Sequence, residues 1–152
     1  MANDQNADVM KTQGNGTFEW TDRHLRNLEA KQKFVEALFV NDWDEMAKWV
    51  TEDVELREPA RLPFGGVYVG LEGFRKCWDL IPEVSHRTPA IRTLHTYMTA
   101  DADHLWVELD CTMVQNGTGA DISQVVMEKF EFRDGRISAI ILYWYNIPDW
   151  PK

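Results

Sequence analysis

The last third of the chain, residues 121–146, constrains the fold more than any other stretch. Its first half places apolar side chains at alternating positions, at Ile122, Val126, Phe130 and Phe132. A glycine-containing segment follows at residues 133–136, and then residues 137–145 are almost wholly apolar. Alternation, a turn and a second apolar run predict a β-hairpin. Because the second arm has few polar side chains, we expect it to be buried on both faces.

Glu128 is the ionisable residue in the apolar row of the first arm. A carboxyl group there needs a partner, a pocket or a raised pKa. A two-residue loop pairs Glu128 with Ile141, whereas a three-residue loop with Gly135 as a bulge pairs it with Ile140. Only the second register puts Glu128 on the same face as Trp144. The residues alone therefore leave two options, a pocket or an outward-facing surface.

Length, composition and charge exclude several classes of protein. A chain of 152 residues with 44% hydrophobic content is large enough for one domain with a core and a pocket. A formal net charge of −9 argues against nucleic-acid or anionic-membrane binding, which needs basic surfaces. No stretch approaches the roughly 18 consecutive apolar residues of a membrane-spanning helix. The histidines are scattered and no metal-ligand spacing is present, so we expect neither a metal nor a cofactor.

The two cysteines, Cys77 and Cys111, fall in apolar patterns without a Cys-x-x-Cys motif. Because no secretory leader is evident either, we expect reduced core thiols and a cytoplasmic protein. The segment from Met1 to Gly16 is polar and poor in bulky side chains. We therefore expect an arm or tail over residues 1–20 and a single domain over residues 21–148.

Three helices are predicted before the long strands. Thr21 can cap a first helix that ends near Val40, and Asn41 or Asp42 can cap a short second one. A third helix is predicted over residues 71–81, ended by Pro82. The segment before it, residues 61–70, is expected to be a loop.

The predicted strands place polar side chains in two groups. Residues 54–58 alternate so that Glu58 shares a face with the apolar residues before it. Residues 91–98 and 105–114 are expected to pair as antiparallel strands with Thr93, His95, Tyr97, Trp106, Glu108 and Asp110 on one face. His95 with Glu108 and Asp110 can form an acid–base set there, although exposed polar pairing across strands is equally ordinary. Helices followed by antiparallel strands predict an α+β fold, in which the helices cover one face of a curved, mainly antiparallel sheet and leave a cone with an opening.

Several segments carry a family resemblance over roughly residues 25–146. They are Phe34-Val35-Glu36-Ala37-Leu38, Asn41-Asp42-Trp43-Asp44, Thr51-Glu52-Asp53-Val54-Glu55-Leu56, Gly70-Leu71-Glu72-Gly73-Phe74, Asp134-Gly135-Arg136-Ile137 and Tyr143-Trp144. In these the chain resembles the nuclear transport factor 2-like superfamily, and most closely its branch of SnoaL-like polyketide cyclases and ketosteroid isomerases. The resemblance implies a cystatin-like α+β roll that pairs through its sheet as a homodimer.

The same resemblance implies roles for particular residues. Glu58 falls where the isomerases keep a general base, and Glu128 falls where they keep a protonated acid that donates to the substrate oxyanion. Trp144 matches an aromatic wall of their pocket, which favours the register that puts Glu128 on the same face. Phe34 replaces the tyrosine that donates to the oxyanion, and a phenylalanine cannot donate a hydrogen bond.

The expected function is that of a cofactor-independent acid–base enzyme acting on a small, mostly apolar carbonyl compound. Isomerisation, cyclisation or dehydration would all suit Glu58 as base and Glu128 as acid, with His95 and Asp110 as an alternative pair. The expected substrate contacts are Phe34, Trp78, His86, Tyr97 and Trp144. Two alternatives stay open: a binding protein for a hydrophobic ligand and an interaction module of the same fold.

Overall fold

Three helices and a six-stranded sheet form the described part of the chain. The structure is a computed structural model and describes residues 19–85, 90–147, 149 and 150. The helices are α1 (Asp22–Phe39), α2 (Trp43–Trp49) and α3 (Gly70–Val84). The strands are β1 (Val50–Glu58), β2 (Gly66–Val69), β3 (Ala90–Met98), β4 (His104–Val114), β5 (Asp121–Arg133) and β6 (Arg136–Trp144). Most of the predicted arm, and also His86, lies outside the described residues.

The sheet has the order β2-β1-β6-β5-β4-β3. Strands β1 and β6 run parallel, and the other neighbours are antiparallel. We call the face that packs in the core the inner face, which carries Leu105, Val107, Phe130 and Ile140. The outer face carries Trp106, Glu108, Lys129 and Tyr143. The predicted α+β class with a mainly antiparallel sheet is confirmed.

Helix α1 begins where the sequence predicts. The hydroxyl of Thr21 accepts a hydrogen bond from the backbone N–H of His24, and the ring of His24 pairs with the backbone N–H of Thr21. The side chain of His24 is buried, and its Nε2 lies 3.2 Å from the carbonyl oxygen of Thr99. The residue therefore joins α1 to the turn between β3 and β4.

No helix in the described ranges is both long and apolar enough to cross a membrane.

Two local predictions around α3 are wrong. Residues 66–69, expected in a loop, form β2 because they pair antiparallel with the end of β1. Pro82, expected to end α3, lies in its last turn. Pro82 has no N–H to donate to the preceding turn, yet the helix continues for two residues beyond it, and the backbone N–H of Ser85 bonds the carbonyl oxygen of Ile81 at 2.9 Å.

The final hairpin forms with a register that differs from both predicted ones. Its turn has two residues, Asp134 and Gly135, both with positive φ (52° and 76°), as a primed turn requires. A β-bulge with Ser138 as the extra residue then shifts the pairing, so Glu128 pairs with Leu142. The turn and the bulge together place Glu128 and Trp144 on the same side of the sheet, which is the arrangement that the three-residue loop predicted.

Two further predictions about strand faces need correction. The end of β6 is not buried on both faces, because Tyr143 is 47% exposed on the outer face. A bulge between Thr93 and His95 displaces the register of β3. Thr93 therefore faces inward, where it lines a cavity, while His95 and Tyr97 stay on the outer face with Glu108.

Candidate active site

A cavity of about 160 Å³ lies between the helices and the inner face of the sheet. Its walls come from α1, α3, β1 and β3 to β6, and most of its lining side chains are apolar. A cavity of roughly 150 Å³ is known to hold benzene, so the space accommodates about one six-membered ring. The lining residues with exposed side chains, Phe39, Ile91 and Thr93, mark the mouth at the end of α1. A longer ligand would extend outward there.

Strand pairing places two carboxyl groups on this cavity. Arg57 pairs with Ile141, so the next residue of β1, Glu58, lies beside Leu142. Leu142 in turn pairs with Glu128 on β5. Glu58 and Glu128 therefore flank Leu142 from both sides, about two strand spacings or ~10 Å apart at their Cα atoms. Both side chains line the cavity.

Burial dominates the electrostatics of Glu58. Desolvation raises its pKa to about 8, against which the indole N–H of Trp144 donates a hydrogen bond to Oε2 at 3.3 Å. The negative charge of Glu128 raises the pKa further. Glu58 keeps intermediate exposure because it faces the cavity, yet protein surrounds it closely enough to disfavour its ionised form.

Glu128 lies in a similar setting with one difference. Burial raises its pKa to about 7, and the positive charge of Lys31 opposes that shift. The pKa of Lys31 is itself lowered by burial, which the charge of Glu128 counteracts. Burial thus raises the pKa of both carboxyl groups, and different neighbours oppose the rise: the positive charge of Lys31 at Glu128 and the indole N–H of Trp144 at Glu58.

Two of the predicted aromatic contacts line the cavity. Trp144 packs against Phe64 with ring centroids 6.2 Å apart, and Trp78 packs edge-on against Phe39 at 6.4 Å. Phe34 is not among the described lining residues: it is buried against the ring of Phe74, at 5.4 Å, within the core. The predicted contact at His86 falls outside the described residues.

The alternative acid–base residues lie on the outer face, away from the cavity. His95 Nδ1 is 2.9 Å from Glu108 Oε2, and Arg92 donates to Asp110 Oδ2 at 2.9 Å. Tyr97 belongs to the same surface and is 37% exposed. The predicted set is therefore formed only in part, because His95 pairs with Glu108 whereas Asp110 pairs with Arg92. Substrate contact by Tyr97 within the cavity is likewise not supported by its position.

Lys31 is a charged lining residue that sequence reasoning missed. It lies on α1 in line with Val35 and Leu38, at the spacing i, i+4, i+7 that marks one face of a helix. A lysine on an apolar stripe is a detectable signal, so the periodicity alone could have identified it. Within the described ranges, His, Cys, Asp and Glu side chains form no group that could hold a metal ion.

A family model described as a SnoaL-like domain matches residues 32–140, well over half of the chain. The chain belongs to the SnoaL-like domain family. This confirms the resemblance drawn from the sequence. The SnoaL-like match begins within α1, ends within β6 and includes both cavity carboxyl groups. No curated protein sequence matches the chain.

Solved structures share the fold at low sequence identity. Bal32a, from a soil-derived mobile gene cassette, is 18% identical with a TM-score of 0.71 over 82% of this chain and 93% of its own. TerC, co-crystallised with polyporic acid, is 16% identical with a TM-score of 0.67 over 78% and 91%. A candidate polyketide cyclase from Xanthomonas campestris pv. campestris is 21% identical with a TM-score of 0.64 over 82% and 93%. At these identities the likeness shows the fold alone.

Proposed function

We propose that this SnoaL-like protein is a cofactor-independent acid–base enzyme of the isomerase, cyclase or dehydratase type. Its substrate is a small, mostly apolar carbonyl compound held in the cavity. One observation carries the proposal: Glu58 and Glu128 line the same apolar cavity, and burial raises the pKa of each towards neutrality. Groups that titrate near the working pH are the ones best suited to general acid–base catalysis.

In this scheme one of the two carboxyl groups is ionised and the other is protonated at the working pH. Lys31 favours the ionised form of Glu128, so Glu128 is the base that removes a proton from the carbon next to the carbonyl. Glu58, with the higher pKa and no such cation, keeps its proton and donates a hydrogen bond to the enolate oxygen. The assignment is opposite to the one that the resemblance implies.

The enolate then determines the reaction type. Return of the proton to a different carbon is an isomerisation, attack of the enolate on a second carbonyl is an aldol cyclisation, and loss of a β-hydroxyl group as water is a dehydration. Trp78 and Trp144 would form aromatic walls for a flat ring. Candidate polyketide cyclases among the structural neighbours and the polyporic acid complex of TerC support this substrate class.

Exchange of α-protons with deuterated water tests the chemistry without the natural substrate. Proton NMR would follow this exchange for a panel of single-ring ketones in the presence of the wild type, Glu128→Gln or Glu58→Gln. A glutamine cannot act as a base but still donates a hydrogen bond, so we expect Glu128→Gln to lose roughly 10²–10⁴-fold in rate and Glu58→Gln to lose less. Glu108→Gln on the outer face is the matched control. Unchanged exchange in Glu128→Gln would reject the proposal.

A specific contact favours a second candidate, a binding protein for a hydrophobic ligand. The indole of Trp144 gives Glu58 a hydrogen-bond partner inside the protein, so this carboxyl has a structural role that needs no substrate. The same cavity would then hold a ligand unchanged. In that case, the ketones would bind in the NMR experiment but the wild type would not accelerate their exchange.

We also propose a homodimer formed through the outer face and a cytoplasmic location. Tyr97, Val125 and Tyr143 expose apolar surface on that face, and two buried free cysteines suit a reducing compartment. Light scattering of the wild type and of Tyr143→Glu tests the dimer. We expect the substitution to produce monomers, and a wild type that is already monomeric would contradict the dimer.

A further inference from the structure

The cavity contains a cation, Lys31, for which the described residues supply no direct partner. Among the described residues, Lys31 has no hydrogen bond and no close ion pair, and its only interaction is the longer-range attraction of Glu128. The neighbouring lysine on the same helix, Lys33, differs in that it pairs with Glu36 at the surface. A charged group in a mostly apolar cavity is costly unless a counter-charge satisfies it.

Glu128 provides that counter-charge only incompletely. It too has no hydrogen bond among the described residues, and burial disfavours its ionised form. An anionic group of a ligand placed beside Lys31 would be a better partner for the ammonium. Glu128 would then take up a proton, since a second negative charge nearby raises the pKa of a carboxyl group.

We propose that Lys31 and Glu128 form an anion-binding site inside the cavity, which selects ligands that carry a carboxylate or acidic enol oxygen on a single-ring apolar body. The ammonium of Lys31 binds the anionic oxygen, and Glu128 becomes the neutral neighbour. The cavity volume of about 160 Å³ limits the enclosed part to one ring. The net charge of the cavity is then unchanged by binding, because Glu128 takes up one proton for each anion that binds.

The site deepens the proposed function, and this part of it rests on that function. When Glu128 removes a proton from a substrate, its own charge disappears and the enolate takes over as the counter-ion of Lys31. Lys31 then contacts the atom on which charge develops, where a fixed cation is most effective. Substrates whose enolate oxygen can reach Lys31 are the ones expected to react.

Benzoate and benzamide test the site, because they have the same shape and differ in charge. Titration calorimetry would compare the wild type with Lys31→Met, which keeps the apolar stem, and with Lys31→Gln as a second variant. We expect both variants to weaken benzoate binding about 10- to 100-fold, the effect of a charge-assisted hydrogen bond. Benzamide binding should stay within about twofold. Lys33→Met is the matched control and should change neither.

Proton uptake gives a readout that loss of packing would not mimic. Calorimetry in buffers of different ionisation enthalpy should show that the wild type takes up a proton with benzoate near neutral pH and takes up none with benzamide. Glu128→Gln should abolish that uptake. Unchanged benzoate affinity in Lys31→Met and Lys31→Gln, or a wild type that does not bind benzoate, would overturn the anion site. If the anion site holds while ketone exchange is absent, only the enzyme proposal fails.

Discussion

On the inner face of the sheet Glu58 and Glu128 border an apolar cavity, whereas on the outer face Glu108 and Asp110 border solvent. The outer carboxylates each have a cationic or ring partner at 2.9 Å, with side chains that remain partly exposed. The inner ones have no such ion pair among the described residues, and burial raises the pKa of both. Side-chain carboxyl groups are therefore placed in two different electrostatic settings on one sheet.

This difference shows that the solvent around a carboxyl group matters more than the number of its contacts. Exposed ion pairs contribute about 0–1 kcal/mol because water screens them. A carboxyl group facing an apolar cavity instead changes its protonation equilibrium, which is what acid–base chemistry needs. The sequence offers carboxyl groups on both faces as candidates, and burial raises the pKa of those on the inner face.

The largest expected effect is on the pH dependence of ketone exchange, which should respond to carboxyl groups of the inner face and not to those of the outer face. Ketone exchange should rise as Glu128 ionises near pH 7 and fall as Glu58 loses its proton near pH 8, giving a narrow bell. Glu58→Gln should remove the fall at high pH, while Glu108→Gln should leave the bell in place. A wild-type profile that stays flat between pH 6 and about 9 would contradict the shared-proton scheme.

Packing gives the next contrast, between adjacent residues of β5. Phe130 is fully buried on the inner face, so Phe130→Ala should lower the free energy of unfolding by about 3–5 kcal/mol. Lys129 lies over the ring of Trp106 and pairs with Glu131 on the outer face. Lys129→Ala should therefore cost about 1 kcal/mol or less. Urea unfolding measures both, and equal losses would show that the outer face is buried in the native assembly.

Stability should also depend on pH through the inner face. An unfolded glutamate ionises near pH 4.5, whereas Glu58 in the folded protein ionises only at about pH 8. The folded state thus binds more protons within this window, so stability falls as the pH rises, by at most about 1.4 kcal/mol per pH unit for one group. Glu58→Gln should flatten the decline seen by urea unfolding between pH 5 and 8. Should Glu108→Gln flatten it equally, the contrast between faces would be lost.

A smaller effect concerns the hydrogen bond within the cavity. Trp144→Phe removes the indole N–H that donates to Glu58 while keeping an aromatic wall. Because this bond favours the carboxylate form, its loss should raise the pKa of Glu58 further. Carbon-13 NMR titration of the glutamate carboxyl groups would measure the shift. A lower pKa in the variant would contradict the geometry of the contact.

The smallest effect is expected at an exposed pair on the outer face. Arg92 donates to Asp110 with both side chains substantially exposed, so Arg92→Ala should change the free energy of unfolding by no more than about 0.5 kcal/mol. Ketone exchange should not change. A loss of several-fold in exchange rate would mean that the outer face contributes to the site after all.

The parts of the fold that depend on local pattern were predictable. Thr21 caps α1, the apolar run of β6 pairs with β5, and the order of helices and strands suffices for the α+β class and the SnoaL-like family. Predictions of strand faces failed where one residue changed a register. The bulges at Ser138 and between Thr93 and His95 each change which side chains face the cavity. The choice between turn and bulge depends on packing against other strands.

The sequence by itself determined the kinds of chemical group available, an acidic residue in an apolar row at Glu128 and another at the end of a strand at Glu58. Only the tertiary structure decided that these carboxyl groups line one cavity and that Lys31 joins them. The physical reason is that a pKa depends on the surrounding dielectric and on charges from other elements. Lys31 and Glu128 are far apart in sequence, and their mutual influence exists only once α1 packs over the sheet.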